Sequence, residues 1–366
     1  MPLAFYGKRA DAKSFGIYIG VDFESLFSQK FVWTYAAYHS RETERRRTMK
    51  LPKVSVVMSV YNAETYVTEA VNSILDQTFS DFEFIIINDG STDKTPQIIR
   101  SFDDPRIRVI DQPNSGLTVS LNRGIRLAKG EYIARMDADD LSEPERLEKQ
   151  VEALDRNPGI AVVGCWYKVI DENGSLLGYK RLPDDVNQLA KLLKRENPIC
   201  HGSVMMRKEA IQAVGLYNEN LRYAQDYEVW LRMLYQGYGF YVIPEFLYNY
   251  RISPNSVAKL YVQEKYAALI RKGEQNVFHL PEVTTIYRLS ERRKRALYYY
   301  AIGTLKLEDG RIKDSQAKLL KSIQLDPLNV RPWYRLMLSF FPRRVRDSLS
   351  SIVKQVKDQV ILLRCS

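Results

Sequence analysis

Three carboxylates lie within four positions of the sequence, Asp137, Asp139 and Asp140, directly after a strand-like apolar run. Like charges this close raise one another's pKa, so the spacing favours either a bound cation or a helix cap. Carboxylate oxygens suit Mg²⁺ or Mn²⁺, and Mg²⁺ usually takes one or two carboxylates together with substrate phosphates. We therefore predict a metal–diphosphate site with Asp139 as the metal ligand. For Asp140 and Ser142 we favour capping of the helix that follows Pro144.

Polar residues also follow the three earlier strand-like runs. Tyr61 and Asn62 end the first run, Asp89 ends the second and Asp111 the third. Open α/β sheets bind their ligands outside the carboxyl ends of the strands, so four such ends on one edge predict a ligand site. No Gly-x-Gly-x-x-Gly follows the first run, and no Gly-x-x-x-x-Gly-Lys-Ser/Thr occurs. These absences disfavour a dinucleotide cofactor and a P-loop.

An alternation of strand and helix patterns positions these residues and predicts an α/β domain with a largely parallel sheet. After Pro144 the pattern predicts a helix as far as about Arg156, and Asn173-Gly174 predicts a hairpin. Gly130 falls where a helix C-cap would lie. The predicted strands are 54–60, 82–89, 106–111 and 131–137, and the predicted helices between them are 63–78, 92–102 and 115–130.

Composition divides the chain into three parts. Residues 51–260 carry 24 Lys and Arg against 29 Asp and Glu, whereas residues 261–366 carry 21 against 10. We expect a poorly ordered extension at 1–50, with Met49 as a candidate start, the α/β domain at 51–260, and a basic helical region at 261–366. A nucleic-acid enzyme is more often basic around its site, so nucleic acid is not an expected partner.

The basic third part has two further features. Six of its residues match a tetratricopeptide repeat: Tyr299, Ile302, Gly303, Leu319, Pro327 and Trp333. Ser315 and Ser322 stand where that repeat usually has alanine, and any helix pair packed on the first domain would look similar. Residues 331–349 mix aromatic and aliphatic residues with five arginines that we expect to face lipid phosphates: Arg331, Arg335, Arg343, Arg344 and Arg346. This mixture favours peripheral docking on an anionic membrane, and a solvated charged surface is the alternative.

The cellular location is expected to be cytoplasmic, with peripheral contact on the inner face of the membrane. The three cysteines are widely spaced, as suits a reducing compartment. No run of about 18 apolar residues occurs, and no secretory leader precedes the patterned region.

Tyr61-Asn62, the Asp-Gly-Ser-x-Asp run at 89–93 and the Asp-x-Asp-Asp run at 137–140 occur in this order and spacing. With the segments around them, over about residues 52–255, they closely resemble family 2 of the inverting nucleotide-sugar glycosyltransferases. The resemblance implies a GT-A type nucleotide-diphospho-sugar transferase fold, a Rossmann-like mostly parallel sheet, here followed by helices. It also implies a UDP- or dTDP-type sugar donor, a glycan or lipid-linked acceptor, and Mn²⁺ or Mg²⁺ as cofactor.

The resemblance also implies roles for residues at matching positions. Tyr61 would stack on the nucleotide base beside Asn62, and Asp89 would accept a hydrogen bond from the base imide. Asp137 would lie by the ribose, and Asp139 would bind the metal.

Two further positions match the acceptor side of the family's site. Asp226, in "AQDYEVWLRM", matches the catalytic base, with Gln225 in place of the usual Glu. An N-cap role for Asp226 is the alternative. His201 matches a position near the acceptor and diphosphate, and a structural histidine is the alternative there.

The resulting hypothesis is a metal-dependent, inverting glycosyltransferase that works in cell-surface polysaccharide synthesis. The processive synthases of the family carry Gln-x-x-Arg-Trp and membrane helices, and neither occurs in this sequence, so transfer of single sugars is expected. A sugar nucleotidyltransferase is one alternative, although "SVYNAETY" replaces the Gly-rich basic loop that such enzymes favour. A catalytically silent binding module is the other, and the intact Asp89, Asp139 and Asp226 argue against it.

Overall fold

A computed structural model describes residues 51–271 and 289–350. The expected extension at 1–50 lies outside the described residues, as do residues 272–288 and the end of the basic region beyond 350. Within the described ranges the strands are β1 (Val54–Val60), β2 (Phe82–Asp89), β3 (Ile107–Gln112), β4 (Tyr132–Asp137), β5 (Leu141–Ser142), β6 (Ile160–Ile170), β7 (Leu176–Lys180), β8 (Met205–Arg207) and β9 (Gly239–Arg251).

The helices lie between and after these strands. In the described ranges they include α1 (Val67–Leu75), α2 (Thr95–Arg100), α3 (Leu117–Leu127), α4 (Arg146–Arg156), α5 (Val186–Leu193), α6 (Lys208–Ala213), α7 (Gln225–Tyr235), α8 (Pro254–Arg271), α9 (Glu291–Glu308), α10 (Ile312–Leu325) and α11 (Val330–Leu338). None of these helices is long and apolar enough to cross a membrane.

One sheet runs through the α/β part in the order β3-β2-β1-β4-β8-β6-β9-β5, with β7 paired to β6. The first four strands are mutually parallel, so their carboxyl ends meet at one edge as predicted. Beyond β4 the sheet becomes mixed, because β8 is antiparallel to both β4 and β6. The hairpin at Asn173-Gly174 is confirmed, since β6 and β7 pair antiparallel and Gly174 has φ +80°.

Two apolar layers cover the faces of the sheet. Residues of β1 alternate between them, so Val56 and Met58 pack with α1 and α4 on one face while Val57 packs with α3 on the other. A strand buried on both faces reads as a continuous apolar run, which explains the pattern "VSVVMSV".

Gly130 does not cap a helix, contrary to the prediction. Helix α3 ends earlier, and the residue that follows it, Ala128, is extended. Gly130 instead packs against β1, where an added Cβ would collide with the backbone nitrogen of Ser55, and its N–H donates to the Ser55 hydroxyl over 2.7 Å. The glycine is therefore required by close approach of the backbone rather than by a positive φ.

The C-terminal helices begin with the closely packed pair α9 and α10. Gly303 leaves room for Leu319, because an added Cβ would lie 2.8 Å from that side chain. Ser315 and Ser322 are buried in the contact and donate to the carbonyl oxygens of Gly303 and Ala296, each over 2.7 Å. These hydrogen bonds explain how serine is accommodated at positions where a tetratricopeptide repeat usually carries alanine.

An apolar cluster joins this helix pair to the sheet. Val169 and Leu177 of the β6–β7 hairpin pack with Ile302 and Leu305 of α9. The Asp309 carboxylate accepts from the backbone N–H of Tyr179 over 3.1 Å. The helical region is therefore packed directly on the α/β domain.

Candidate active site

The loops after β1 and β2 are tied together by Asn62. Its backbone N–H donates to the Ser91 hydroxyl over 3.1 Å, and its side-chain oxygen accepts from the Thr92 N–H over 2.8 Å. Asn62 adopts a left-handed φ of +49°, which asparagine tolerates better than most residues. The preceding Tyr61 is 52% exposed, so its ring is open to a planar ligand.

Asp89, at the end of β2, fixes the loop that leads into α3. Only 2% of the residue is exposed. Its carboxylate accepts from the Gln112 side chain over 2.7 Å and from the N–H groups of Ser115 and Gly116 over 2.8 and 2.9 Å. A carboxylate offers about four acceptor positions, so roughly one remains for a ligand.

Asp137, at the end of β4, forms an ion pair with the buried guanidinium of Arg135. Gly202 packs against it: an added Cβ would lie 2.6 Å from an Asp137 carboxylate oxygen and would collide with the Tyr248 hydroxyl. The turn at His201–Ser203 therefore closes over the end of β4 and brings His201 to this part of the site.

Asp139 and Asp140 differ in burial. Asp139 is reached by solvent, yet desolvation by the surrounding protein and the charge of Asp137 raise its pKa to about 6. Asp140 is buried, and desolvation together with Asp139 and Asp137 raises its pKa well above the ordinary value. One Asp140 oxygen accepts from the Arg251 N–H over 2.7 Å, and its Oδ2 has no hydrogen-bond partner among the described residues.

The prediction that Asp140 or Ser142 caps the next helix is wrong. Helix α4 begins after Glu145, whose side chain makes no capping hydrogen bond, and the N–H of Leu147 in its first turn donates to the Gln77 side-chain oxygen over 3.0 Å. The Ser142 hydroxyl instead accepts from the Gln77 amide over 3.0 Å. Both residues thus bind parts of the chain that are distant in sequence.

Arg251, which the sequence analysis did not single out, holds the Asp139–Asp140 segment in place. Its Nε donates to the Asp139 carbonyl oxygen over 2.7 Å, and its Nη2 pairs with Glu69 over 2.7 Å. Its guanidinium lies 4.4 Å from the centre of the Tyr66 ring. Hydropathy periodicity carries no signal for such a residue, because its partners come from distant segments.

Asp226 lies in the first turn of α7. The N-cap of that helix is Ala224, with φ +53°, so the alternative role of Asp226 as N-cap is wrong. The Asn197 amide donates to an Asp226 oxygen over 2.7 Å. Burial raises the pKa of Asp226 and the negative charge of Asp137 adds to the rise, while the Asn197 hydrogen bond opposes it.

His201 is neutral in this setting. Its Nε2 lies 2.8 Å from the Tyr217 hydroxyl, and its ring stands edge-on to Trp230. Burial, followed by the positive charge of Arg135, lowers its pKa well below the usual value.

The His201 turn adjoins both the end of β4 and helix α7. Gly202 packs against the Asp137 carboxylate, and the His201 ring contacts Trp230 of α7. Burial raises the pKa of Tyr217, the hydrogen-bond partner of His201.

The residues fit a divalent cation that is shared with a ligand. Across the described ranges no three His, Cys, Asp or Glu side chains converge to hold a metal by themselves. The accessible Asp139 and the unpartnered oxygen of Asp140 instead match the habit of Mg²⁺, which takes few carboxylates and completes its shell with water and phosphate.

Comparison with known proteins identifies the family. Residues 55–215 match the model for "Glycosyl transferase family 2". An uncharacterized glycosyltransferase of Methanocaldococcus jannaschii is 36% identical over 260 residues, which cover 69% of this chain and 86% of that protein. The chain belongs to glycosyltransferase family 2. This membership confirms the predicted family and enzyme class, and with the sheet order it confirms the GT-A type fold.

Further relatives of this glycosyltransferase include the O-antigen biosynthesis glycosyltransferase WbnJ of Escherichia coli. It is 34% identical over 214 residues, which cover 57% of this chain and 83% of that protein. Among solved structures, Staphylococcus aureus TarS residues 1–349 in complex with UDP has a TM-score of 0.47 at 20% identity, over 74% of this chain and 91% of that chain. The mannosyltransferase PcManGT from Pyrobaculum calidifontis, in complex with GDP-Man and Mn²⁺, has a TM-score of 0.48 at 19% identity, over 79% and 84%.

The family model ends at residue 215, so the matched region holds Tyr61, Asn62, Asp89, Asp137, Asp139 and His201 but not Asp226. The roles of all seven residues remain predictions.

Proposed function

We propose that this glycosyltransferase moves single sugars, with inversion, from a UDP- or dTDP-type donor to a hydroxyl of a glycan or lipid-linked acceptor. The observation that carries the proposal is the Asp226 carboxylate, which lies in the first turn of α7, accepts from the Asn197 amide over 2.7 Å and has a pKa that burial raises. A role in surface polysaccharide synthesis is supported by the relative named for O-antigen biosynthesis.

Asp226 acts as the general base. It accepts the proton of the acceptor hydroxyl while that oxygen attacks the anomeric carbon and the bond to the diphosphate breaks. A single displacement of this kind inverts the anomeric centre. Burial strengthens Asp226 as a base by raising its pKa, and Asn197 keeps the charged form accessible by donating to it.

The loops after β1, β2 and β4 bind the donor. The exposed Tyr61 ring stacks on the base, and Asn62 holds the Ser91–Thr92 loop beside it. Asp89 uses its remaining acceptor position for the base imide and orders the loop at Ser115–Gly116. Asp137 accepts hydrogen bonds from the ribose.

A divalent cation, Mg²⁺ or Mn²⁺, would be held by the accessible Asp139 carboxylate. When bound, it would neutralise charge on the leaving diphosphate. His201 is uncharged, so it positions neighbouring groups through Tyr217 rather than supplying positive charge.

The experiment is two incubations of the full chain with Mn²⁺, one with nucleotide sugars and one with nucleoside triphosphates and sugar phosphates, each followed by analysis of the released products. A glycosyltransferase releases nucleoside diphosphate, slowly by donor hydrolysis when no acceptor is present. Release of pyrophosphate from a nucleoside triphosphate and a sugar phosphate would instead establish the nucleotidyltransferase, and absence of both products would favour the silent binding module.

A further inference from the structure

Helix α11 and the turn that follows it present an apolar stripe to solvent. The stripe consists of five exposed residues spaced along the helix: Val330, Trp333, Met337, Phe340 and Phe341. Phe340 is 73% exposed and Trp333 is 50% exposed. Other positions of α11, Pro332 and Leu338, are buried, so the helix is anchored while the stripe stays open to solvent.

The stripe has a defined shape. The Trp333 indole N–H donates to the Pro327 carbonyl oxygen over 3.1 Å, which fixes the ring at the surface. Backbone hydrogen bonds from Phe340 to Met337 and from Phe341 to Leu338 continue the turn beyond α11. Aromatic rings with one polar edge are the residues favoured at the boundary between lipid headgroups and acyl chains.

The segment that carries the stripe is rich in positive charge. Residues 289–350 carry 14 Lys and Arg against 6 Asp and Glu. Arg343 and Arg344 are exposed directly after the stripe, and Arg343 lies 3.9 Å from Asp347 in a solvent-exposed pair. Such exposed pairs are weak, so both arginines remain able to bind phosphate.

One part of the sequence expectation for this segment is wrong. Arg346 does not face outward with the other arginines but is buried, and its guanidinium donates to the Leu307 carbonyl oxygen over 3.5 Å. Arg346 instead holds the segment after Pro342 against α9. The exposed charge next to the stripe therefore comes from Arg343 and Arg344.

We infer that the α11 stripe docks the enzyme on an anionic lipid surface, with Trp333, Met337 and Phe340 at the headgroup boundary and Arg343 and Arg344 on lipid phosphates. An uncharged protein partner would need the apolar residues alone, whereas anionic lipid also accounts for the adjoining arginines. Because α9 packs on the β6–β7 hairpin, docking would hold the α/β domain near the membrane, within reach of a lipid-linked acceptor.

Vesicle sedimentation of the full chain tests the inference without any need for transfer activity, so failure of the proposed reaction would leave the result interpretable. The protein should pellet with phosphatidylcholine vesicles that contain phosphatidylglycerol, and at least about tenfold less with phosphatidylcholine alone. Salt at about 0.5 M should release it, because screening shortens the reach of the arginines.

Two double variants and their matched controls complete the test. W333S/F340S and R343E/R344E should each lower vesicle partitioning at least about tenfold. The controls are Y235S, which removes a ring that is 71% exposed on α7, and R126E/R156E, which reverses two exposed charges on α3 and α4. Neither control should change partitioning.

Three results would overturn the inference. They are failure of the wild-type chain to pellet, unchanged pelleting of W333S/F340S, and a wild-type dimer that W333S/F340S converts to a monomer without any vesicle binding. The last result would assign the stripe to contact between two copies of the chain.

Discussion

At the scale of single residues, the site depends on carboxylates whose charged forms are opposed by their surroundings. Asp139 and Asp226 both have raised pKa values, first because of desolvation and also because of Asp137. A buried carboxylate with a raised pKa lowers the stability of the fold and is typical of functional sites. Asp139 and Asp226 could be predicted from the sequence, whereas Asn197 and Arg251, which hold them, could not, because they come from distant segments.

Asp139→Ala tests the metal ligand. We expect metal-dependent turnover to fall by more than the roughly 10- to 100-fold typical of residues that only support a ligand. Thermal stability should change little, because Asp139 is solvent-accessible. Turnover is measured against Mn²⁺ concentration, and near wild-type turnover at low Mn²⁺ would contradict the assignment.

Asn197→Ala tests the environment of the base. The lost hydrogen bond had stabilised charged Asp226, so the pKa of Asp226 should rise further. A base must be deprotonated to work, and activity is lost as pH falls through this pKa. The acid limb of kcat/KM against pH should therefore move to higher pH. The control is Gln188→Ala, at an exposed position of α5, which should leave the profile unchanged.

An unchanged acid limb in Asn197→Ala would mean that Asp226 is not the titrating base. The kcat/KM for the acceptor is measured at one fixed, saturating donor concentration, so that donor binding does not enter the pH profile.

At the scale of elements, the sheet was more predictable than its connections. Continuous apolar runs predicted β1 and β2 with their observed bounds, because both faces of these strands are buried. Gly130 was assigned the wrong role because its close approach to Ser55 is a tertiary contact. The turn at His201–Ser203, which closes over Asp137, carries no periodic pattern at all.

Gly202→Ala tests this turn. An added Cβ would collide with the Tyr248 hydroxyl and press on Asp137, so we expect a loss of about 1–3 kcal/mol of stability and a fall in kcat/KM. The control is Gly159→Ala, where no described atom lies within 4 Å of the added Cβ. Thermal unfolding and kinetics of both variants are compared, and equal behaviour would contradict the packing described for the turn.

At the scale of the whole molecule, the proposed nucleotide-binding loops and the proposed catalytic base, Asp226, lie on different parts of one fold. The loops after β1, β2 and β4 meet at the edge of the parallel strands, whereas Asp226 comes from α7, beyond the region that matches the family model. The resemblance predicted the nucleotide-binding residues and Asp226. The sequence could not show that the charge of Asp137 raises the pKa of Asp226, because most of the mixed part of the sheet separates β4 from α7 along the chain.

Asp226→Asn distinguishes proton acceptance from nucleotide binding, so it tests the central claim most directly. The change keeps the shape of the side chain and removes its ability to accept a proton. We expect sugar transfer to fall by roughly a hundredfold or more, the usual worth of general-base catalysis. Calorimetric binding of the nucleoside diphosphate with Mn²⁺ should be unchanged. Transfer at the wild-type rate, or loss of nucleotide binding, would contradict the assignment of Asp226 as the base.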